Sequence, residues 1–468
     1  MRLKRSAMTG LAVSLMWGVT LIGGTGVSAA GTPLVPATSN ANWSTITSLP
    51  GSLMGLAGDS AGNLLTFDAS PQLNLIQANA LTGAEHGVPI IPGALEHMTP
   101  SSYVNATGGE WIAGVVPLSN GTTLFDSGYA NEIDLSTAPG VYSVAFSNSW
   151  LANPTGMAMD PSGTALYVVN SDPTVTGGSS VYRVPVSGSN FNWAGATKVI
   201  GGLNYAMGAV VSPSGTLYVA DLTDRTIVAA TAGQIQNAVS TATPLTPTSG
   251  LTTITGSVAE LLGVNGLAMD ASGNLFFSEY IGYPIGQGHL AVGEIPASWL
   301  AGSTPATLEN GGIIDLADTN TLTSIDSGLQ PLTIVHGVLL AGSYATNKIY
   351  AYPLNGLPRL ANLTASVSGG NLTAVWGYSG AAYYTCTLMV GLLTPTSFTS
   401  TTRGTSCTFY GVSSAGYGVR VVAYDASGLA SVAQTVFPTP YTITCVKGTS
   451  VRQVTGIAPT CPTGWRQK

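Results

Sequence analysis

The chain has 468 residues, too many for one ordinary core, and only 7% of them are charged while 59 are glycine and 45% hydrophobic. That composition excludes a helical bundle and a disordered polymer, and it suits many short strands joined by tight turns. Residues 31–357 carry twenty acidic and four basic side chains, whereas residues 358–468 carry one acid, Asp425, and seven bases. An acidic body of this kind argues against nucleic acid as its partner.

The N-terminus reads as a signal peptide over residues 1–30. Arg2, Lys4 and Arg5 precede an uncharged apolar stretch, and Val27-Ser28-Ala29-Ala30 offers small residues for cleavage. No other stretch is long and apolar enough to cross a bilayer as a helix, so no transmembrane segment is expected after cleavage. The expected location is secreted or extracellular, with possible attachment to the cell surface. Residues 31–41 form a polar lead-in.

The body, residues 42–357, is built on one pattern. Its clearest form is GLAMDASGNLFFSEY, Gly266 to Tyr280, with copies starting at Gly55, Gly156 and Gly208. Each copy has a glycine and an apolar run ending in Asp or Ser. A polar turn with a second glycine follows, and then an alternating aromatic strand. This is the grammar of a β-hairpin whose turn needs a residue at positive φ. A weaker copy runs from Gly108 and a degenerate one, GVLLAGSYATNKIYAY, from Gly337, which makes six units of about 50 to 70 residues. Strand-rich units at that period predict a six-bladed β-propeller, in which neighbouring blades cover one another and ring closure removes exposed edges. Asn42 to Pro50 is expected to supply a strand to the last blade. The repeat resembles the NHL type and the related gluconolactonase-like propellers, a resemblance that implies the fold far more firmly than an activity.

Beyond Pro358 the pattern changes to shorter alternating strands, up to residue 437. Trp376 in an early strand and Tyr417 opening YGVRVVAYD resemble a fibronectin type III domain, a β-sandwich. Alternation predicts Val419, Val421 and Ala423 on the buried face and Arg420 on the other. The fold class is therefore all-β, a six-bladed β-propeller plus a small fibronectin type III-like sandwich. Residues 438–468 form a basic tail that resembles the cysteine-paired C-terminal tails of bacterial exported surface proteins.

All four cysteines, Cys386, Cys407, Cys445 and Cys461, lie in the last quarter. Four cysteines allow three pairings. Cys386 and Cys407 fall on candidate strands of the sandwich, and Cys445 and Cys461 bracket the tail. Those two local disulfides are expected, in keeping with an oxidising compartment. With no close cysteine pair and no histidine beyond His336, a zinc site there is disfavoured.

Propeller sites lie at the channel mouth, before each innermost strand. The residues preceding the repeat glycines are Met54, Thr155, Met207, Asn265 and His336, and of these Thr155, Asn265 and His336 are candidate binding residues. The gluconolactonase-like resemblance implies that an Asn-Gly step such as Asn265-Gly266 helps hold a divalent metal, calcium or zinc. His336 is then a second ligand, with Glu279, Asp68 or Asp221 supplying a carboxylate. Against this stand the two methionines, which are expected to plug the channel. His86, His97 and His289 belong to no constellation. Ser60 sits in a repeat turn rather than a nucleophile loop, and Asp160 and Asp270 are turn-capping residues.

Two functions follow. The first is an exported, non-enzymatic binding or adhesion protein whose propeller face recognises an extracellular glycan, peptide or protein. Trp111, Trp150, Trp193 and Trp299 are available to that face or to blade packing, and the basic tail is available to an anionic envelope polymer. The alternative is a metal-dependent lactone hydrolase or lyase at the channel mouth.

Overall fold

The computed structural model describes residues 43–49, 53–59, 61–68, 72–78, 95–98, 114–118, 120–127, 131–138, 141–148, 150–172, 174–256, 261, 263–279, 290–308, 310–318, 329–335, 337–344, 346–354, 360–377, 381–390, 394–412, 417–424, 434–438, 441–448, 450–456 and 461–467. The leader and lead-in lie outside them.

The body is six antiparallel sheets in chain order. Strand β1 (Ser44–Ser48) comes first, and the first sheet follows as β2 (Leu53–Gly58), β3 (Leu64–Asp68), β4 (Gln72–Ile76) and β5 (Leu95–Met98). The second is β6 (Val115–Pro117), β7 (Thr123–Ser127), β8 (Glu132–Ala138) and β9 (Val141–Ser147). The third comprises β10 (Pro154–Met159), β11 (Ala165–Asn170), β12 (Ser179–Ser187), a short β13 (Asn190–Phe191) and β14 (Thr197–Leu203). The fourth is β15 (Ala206–Val211), β16 (Leu217–Asp221), β17 (Thr226–Ala230) and β18 (Thr252–Thr253). The fifth is β19 (Val264–Met269), β20 (Leu275–Glu279), β21 (Leu290–Ile295) and β22 (Ile314–Asp318). The sixth, β23 (Leu329–Val335), β24 (Val338–Ser343) and β25 (Lys348–Pro353), is completed by β1, which pairs with β25.

The first strand of each sheet touches the first strand of the next, and β2 meets β23, so six inner strands close a ring. That is a six-bladed propeller sealed by its N-terminal strand. The Trp43 indole packs at a tilt against Tyr352 and donates to the Leu316 carbonyl of the fifth blade, which fixes where β1 enters. Between blades the faces are apolar. One cluster joins Tyr167 and Val169 of blade three to Leu217, Val219 and Ile235 of blade four. Phe67 and Phe125 join blades one and two at 5.4 Å.

The repeat hairpins have the expected turn chemistry. Gly62, Gly163, Gly215 and Gly273 all take positive φ. Asp160 Oδ1 accepts the Thr164 N–H at 2.7 Å, and Asp270 Oδ1 accepts that of Asn274 at 2.8 Å. Asp59 serves Ala61 and Asn63 in the same way. These aspartates cap turns, and Ser60 belongs to such a turn in sequence.

Two repeat assignments shift. The glycine serving the second inner strand is Gly114, beside β6, whereas Gly108 lies outside the described residues. Gly337 is not an inner-strand glycine: its φ of +76° puts it in the turn between β23 and β24, so the segment read as a sixth copy begins at the blade's second strand. The sequence of that segment had matched on its aromatic alternation, which the second and third strands carry.

After the propeller come β26 (Ala361–Ser368), β27 (Asn371–Gly377), β28 (Tyr383–Val390), β29 (Thr394–Thr402), β30 (Ser406–Phe409), β31 (Tyr417–Tyr424) and β32 (Gln434–Val436). They form two sheets, β26-β27-β30 and β29-β28-β31-β32, around Trp376, Tyr384, Leu388, Val419 and Val421. The Cys386–Cys407 disulfide joins β28 to β30 and so ties one sheet to the other. The remaining residues are more than a tail. Strands β33 (Tyr441–Lys447), β34 (Ser450–Gly456) and β35 (Arg466–Gln467) make a small sheet in the order β34-β33-β35, stapled by Cys445–Cys461. Loops of 21 and 16 residues put each disulfide's contribution at about 3 kcal/mol in the chain-entropy account.

Arg420 departs from the alternation argument. It lies on the face opposite Val419 and Val421 as expected, yet only 2% of it is exposed, because that face docks on the propeller. Its guanidinium pairs with the Asp315 carboxylate of β22, in the outer strand of blade five.

Candidate functional site

Each inner strand is paired on one side only, so its other edge faces the central channel. A cavity of about 310 Å³ lies there, lined by all six inner strands. Its wall is apolar side chain, including Met54, Met157, Met159 and Met269, interleaved with strand-edge backbone. Glycines make the ring this tight. A Cβ on Gly156 would strike the Met207 carbonyl, and one on Gly208 the Asn265 carbonyl. The repeat glycine is thus required by the backbone of the next blade, in addition to its own sheet.

The residues before these glycines sit where the inner strand slips register against the second strand. The slips fall between Leu53 and Gly55, Pro154 and Gly156, Ala206 and Ala209, and Val264 and Leu267. Met54, Thr155, Met207 and Asn265 therefore occupy bulges, which re-aim side chains. In blade six the slip falls between Leu329 and Leu332, so the place equivalent to Asn265 is the Gln330-Pro331 step. Alignment on Gly337 had put His336 there; His336 itself lies outside the described residues, as do His86, His289 and Trp111.

The structure brings Thr155 and Asn265 to one channel and gives them different fates. The Thr155 hydroxyl donates to the Ala206 carbonyl at 2.8 Å and bridges blades three and four. Asn265 is 5% exposed and lines the cavity, and its buried Nδ2 has no acceptor among the described residues. A buried amide donor left unpaired costs about 1–3 kcal/mol, so this position is poorly explained by folding alone. Met54 lines the cavity and leaves it open, where a channel plug was expected, and Met207 is buried but is not among the described lining.

The acids at the second-strand ends do other work. Asp221 accepts the N–H groups of Asn204 at 2.8 Å and Tyr205 at 3.2 Å. Burial raises its pKa above the ordinary carboxylate value, against the opposing pull of these hydrogen bonds. Asp126 accepts the Gly114 N–H at 2.7 Å. In blade three Asn170 holds the same place, accepting from Ala152 and Asn153 and donating to the Trp150 carbonyl. Each ties down the loop that leads into its inner strand, a role that sequence position alone did not reveal. Glu279 is fully buried and pairs in register with Val264, next to Asn265, but is not among the described cavity lining. Asp68 ends β3; its side chain lies outside the described residues.

A protein site for calcium or zinc is built around carboxylate, imidazole or thiolate ligands, with amide and backbone oxygens or water completing the shell. The described channel wall has none, its side-chain donors being Thr155, Asn265 and Thr333, and among the described residues no three His, Cys, Asp or Glu side chains group together. These residues do not fit calcium or zinc, and no chemical step is derived through a metal. The tryptophans are packing residues where described. Trp150 stacks on Tyr182 at 4.0 Å, Trp193 on Phe146 at 4.6 Å, and the Trp299 indole donates to the Thr304 carbonyl.

No protein-family model and no curated protein matches the sequence. Among solved structures the chain is similar to a calcium-binding protein, regucalcin, from Agrobacterium tumefaciens, at 15% identity over 66% of this chain and 92% of that one, with a TM-score of 0.45. It is similar also to a gluconolactonase from Xanthomonas campestris, at 16% identity over 67% and 89%, TM-score 0.43. A third is virginiamycin B lyase from Staphylococcus aureus, at 11% identity over 67% and 98%, TM-score 0.38. These values are too low to bring chemistry from any of them to this chain, and the fold rests on the strand order above.

Proposed function

We propose that the chain is an exported binding protein whose propeller channel takes an uncharged ligand, a saccharide or short peptide segment, through the Asn265 amide. The observation that carries this reading is a buried Nδ2 donor, with no acceptor among the described residues, on a side chain that borders a cavity of about 310 Å³. A small turn of the Asn265 side chain toward the cavity would bring that donor to a hydroxyl or carbonyl acceptor on a ligand, and the strand-edge backbone around it offers further polar contacts. The methionines supply an adaptable apolar wall. Export is supported by the apolar leader and by two disulfides, which persist in oxidising compartments. The strand order of the sandwich supports a fibronectin type III-type module acting as a spacer, and the basic terminal sheet is available to an anionic envelope polymer.

The test is retention of neutral glycans and peptides by the full chain beside Asn265→Leu, together with elemental analysis after dialysis. Ligand retained by the wild type and lost in Asn265→Leu supports the reading. One tightly held divalent ion per chain, lost in the same variant, overturns it and restores a metal-dependent hydrolase or lyase.

A further inference from the structure

A second cavity, of about 300 Å³, lies away from the channel, between blades three and four. One wall is the face of blade three, where Tyr167 on β11 and Arg183 on β12 are direct cross-strand partners and so project to the same side. Tyr182, one residue earlier, points to the other side and stacks on Trp150. The opposite wall is the hairpin turn of blade four, with Pro213 and Ser214, and the helix Ala232–Thr241, which contributes Ile235 and Gln236. The rim on the blade-three side is the turn holding Asp160 and Ser162.

The cation at this site is unusual for its surroundings. Arg183 is one of four basic side chains in the acidic body. Among the described residues it makes no ion pair, and the Tyr167 hydroxyl on the same face has a pKa raised by burial, a shift that Arg183 opposes. A guanidinium presents a fork of donors that one phenolic oxygen does not fill. Asp160 accepts the Thr164 N–H, the Thr164 hydroxyl and the Ser162 hydroxyl, all of them turn contacts, and among the described residues it makes no ion pair with Arg183. Prolines, the Tyr167 ring and Ile235 give the cavity apolar sides.

We propose that this cavity is a binding site for a small hydroxy or amino carboxylate, with the carboxylate on Arg183 and the hydroxyl or ammonium group donating toward Asp160. The Arg183 fork matches a carboxylate in two parallel hydrogen bonds, which is the geometry arginine is suited to. Asp160 at the rim disfavours a ligand that is anionic at both ends and favours one with a donor there. The site is independent of the channel and of Asn265.

Saturation-transfer NMR on the full chain with lactate and with alanine, each beside its primary amide, tests the assignment. Transfer to lactate, alanine or both, and at least about tenfold weaker binding of the matching amide, is the expected result; the responding acid tells a hydroxy acid from an amino acid. Arg183→Gln abolishes the transfer, and Lys198→Gln, the same charge change on β14 outside the cavity, leaves it unaltered. Gln236→Trp, which fills the cavity from an exposed helix position, also abolishes it and serves if Arg183→Gln fails to fold. Transfer to neither acid, equal transfer to the amides, or wild-type binding by Arg183→Gln would overturn the proposal.

Discussion

The inner strands of blades one, three, four and five each have two ends, and these are built on different logic. At the turn end one solution repeats: a capping Asp or Ser, a glycine at positive φ and a return into the second strand. At the mouth end the residues change from blade to blade, Met54, Thr155, Met207 and Asn265, while the glycine after them stays. The turn end answers a local question about φ. The mouth end answers to the neighbouring blade, and at Asn265 it carries a buried amide donor with no acceptor among the described residues. The difference teaches that one residue type, glycine, serves two separate causes within a few residues.

The comparison can be broken by adding a single methyl group at each end. At the mouth, a Gly208→Ala methyl meets the Asn265 carbonyl and the Leu267 N–H, both backbone atoms that cannot swing aside. Chemical denaturation is expected to show a loss of about 2–4 kcal/mol. At the turn, Gly163 has φ +68° and open space around it, so Gly163→Ala is opposed by backbone conformation alone, and the expected loss is about 1–2 kcal/mol. Equal losses at the two positions would remove the distinction.

The polar residues at the second-strand ends sharpen it further. Asp221 does for blade four what the uncharged Asn170 does for blade three, so Asp221→Asn is expected to change stability at neutral pH by less than about 1 kcal/mol. The pH profile separates the two side chains. The folded pKa of Asp221 is raised by burial above the ordinary 3.8, so the folded state favours the protonated acid. Its contribution is therefore most favourable below 3.8 and is lost as pH rises through the raised folded value. Asp221→Asn should remove that decline, measured as unfolding free energy across the acid range. A profile identical to wild type would mean that burial does not govern this carboxylate.

The smallest effect is expected at the residue of greatest functional interest. Asn265→Leu removes a buried donor without a protein partner, so in the absence of ligand no loss of stability is expected in thermal unfolding. A clear loss would mean that Asn265 holds the fold together and would weaken its reading as a ligand contact.

Much of this was legible along the chain. Periodicity and turn chemistry announced the hairpins, because a β-turn at positive φ is a local demand that few residues meet. Six units, an N-terminal strand closing the ring, and the pairs Cys386–Cys407 and Cys445–Cys461 followed from spacing and order. The sixth unit was misaligned because Gly337 and the strand after it copy the pattern of a turn glycine and second strand, and sequence alone does not say which glycine of a hairpin it is reading. Asn265 was visible through its Asn-Gly step, whereas the Arg183 cavity left no linear signal. Its walls come from residues that start at Asp160 and end at Gln236, joined only when two blades face each other.

What the sequence by itself determined is the set of elements that depend on near neighbours: strands, capped turns and the count of blades. What only the tertiary structure decided is where charge and unsatisfied polarity end up. Alternation put Arg420 on the second face of β31, but only the docking of that face on β22 buried it against Asp315. Likewise, only closure of the ring left the Asn265 amide donor buried beside a channel with no acceptor among the described residues. A hydrogen-bonding group's surroundings are set by chain segments distant in sequence, and no local pattern encodes them.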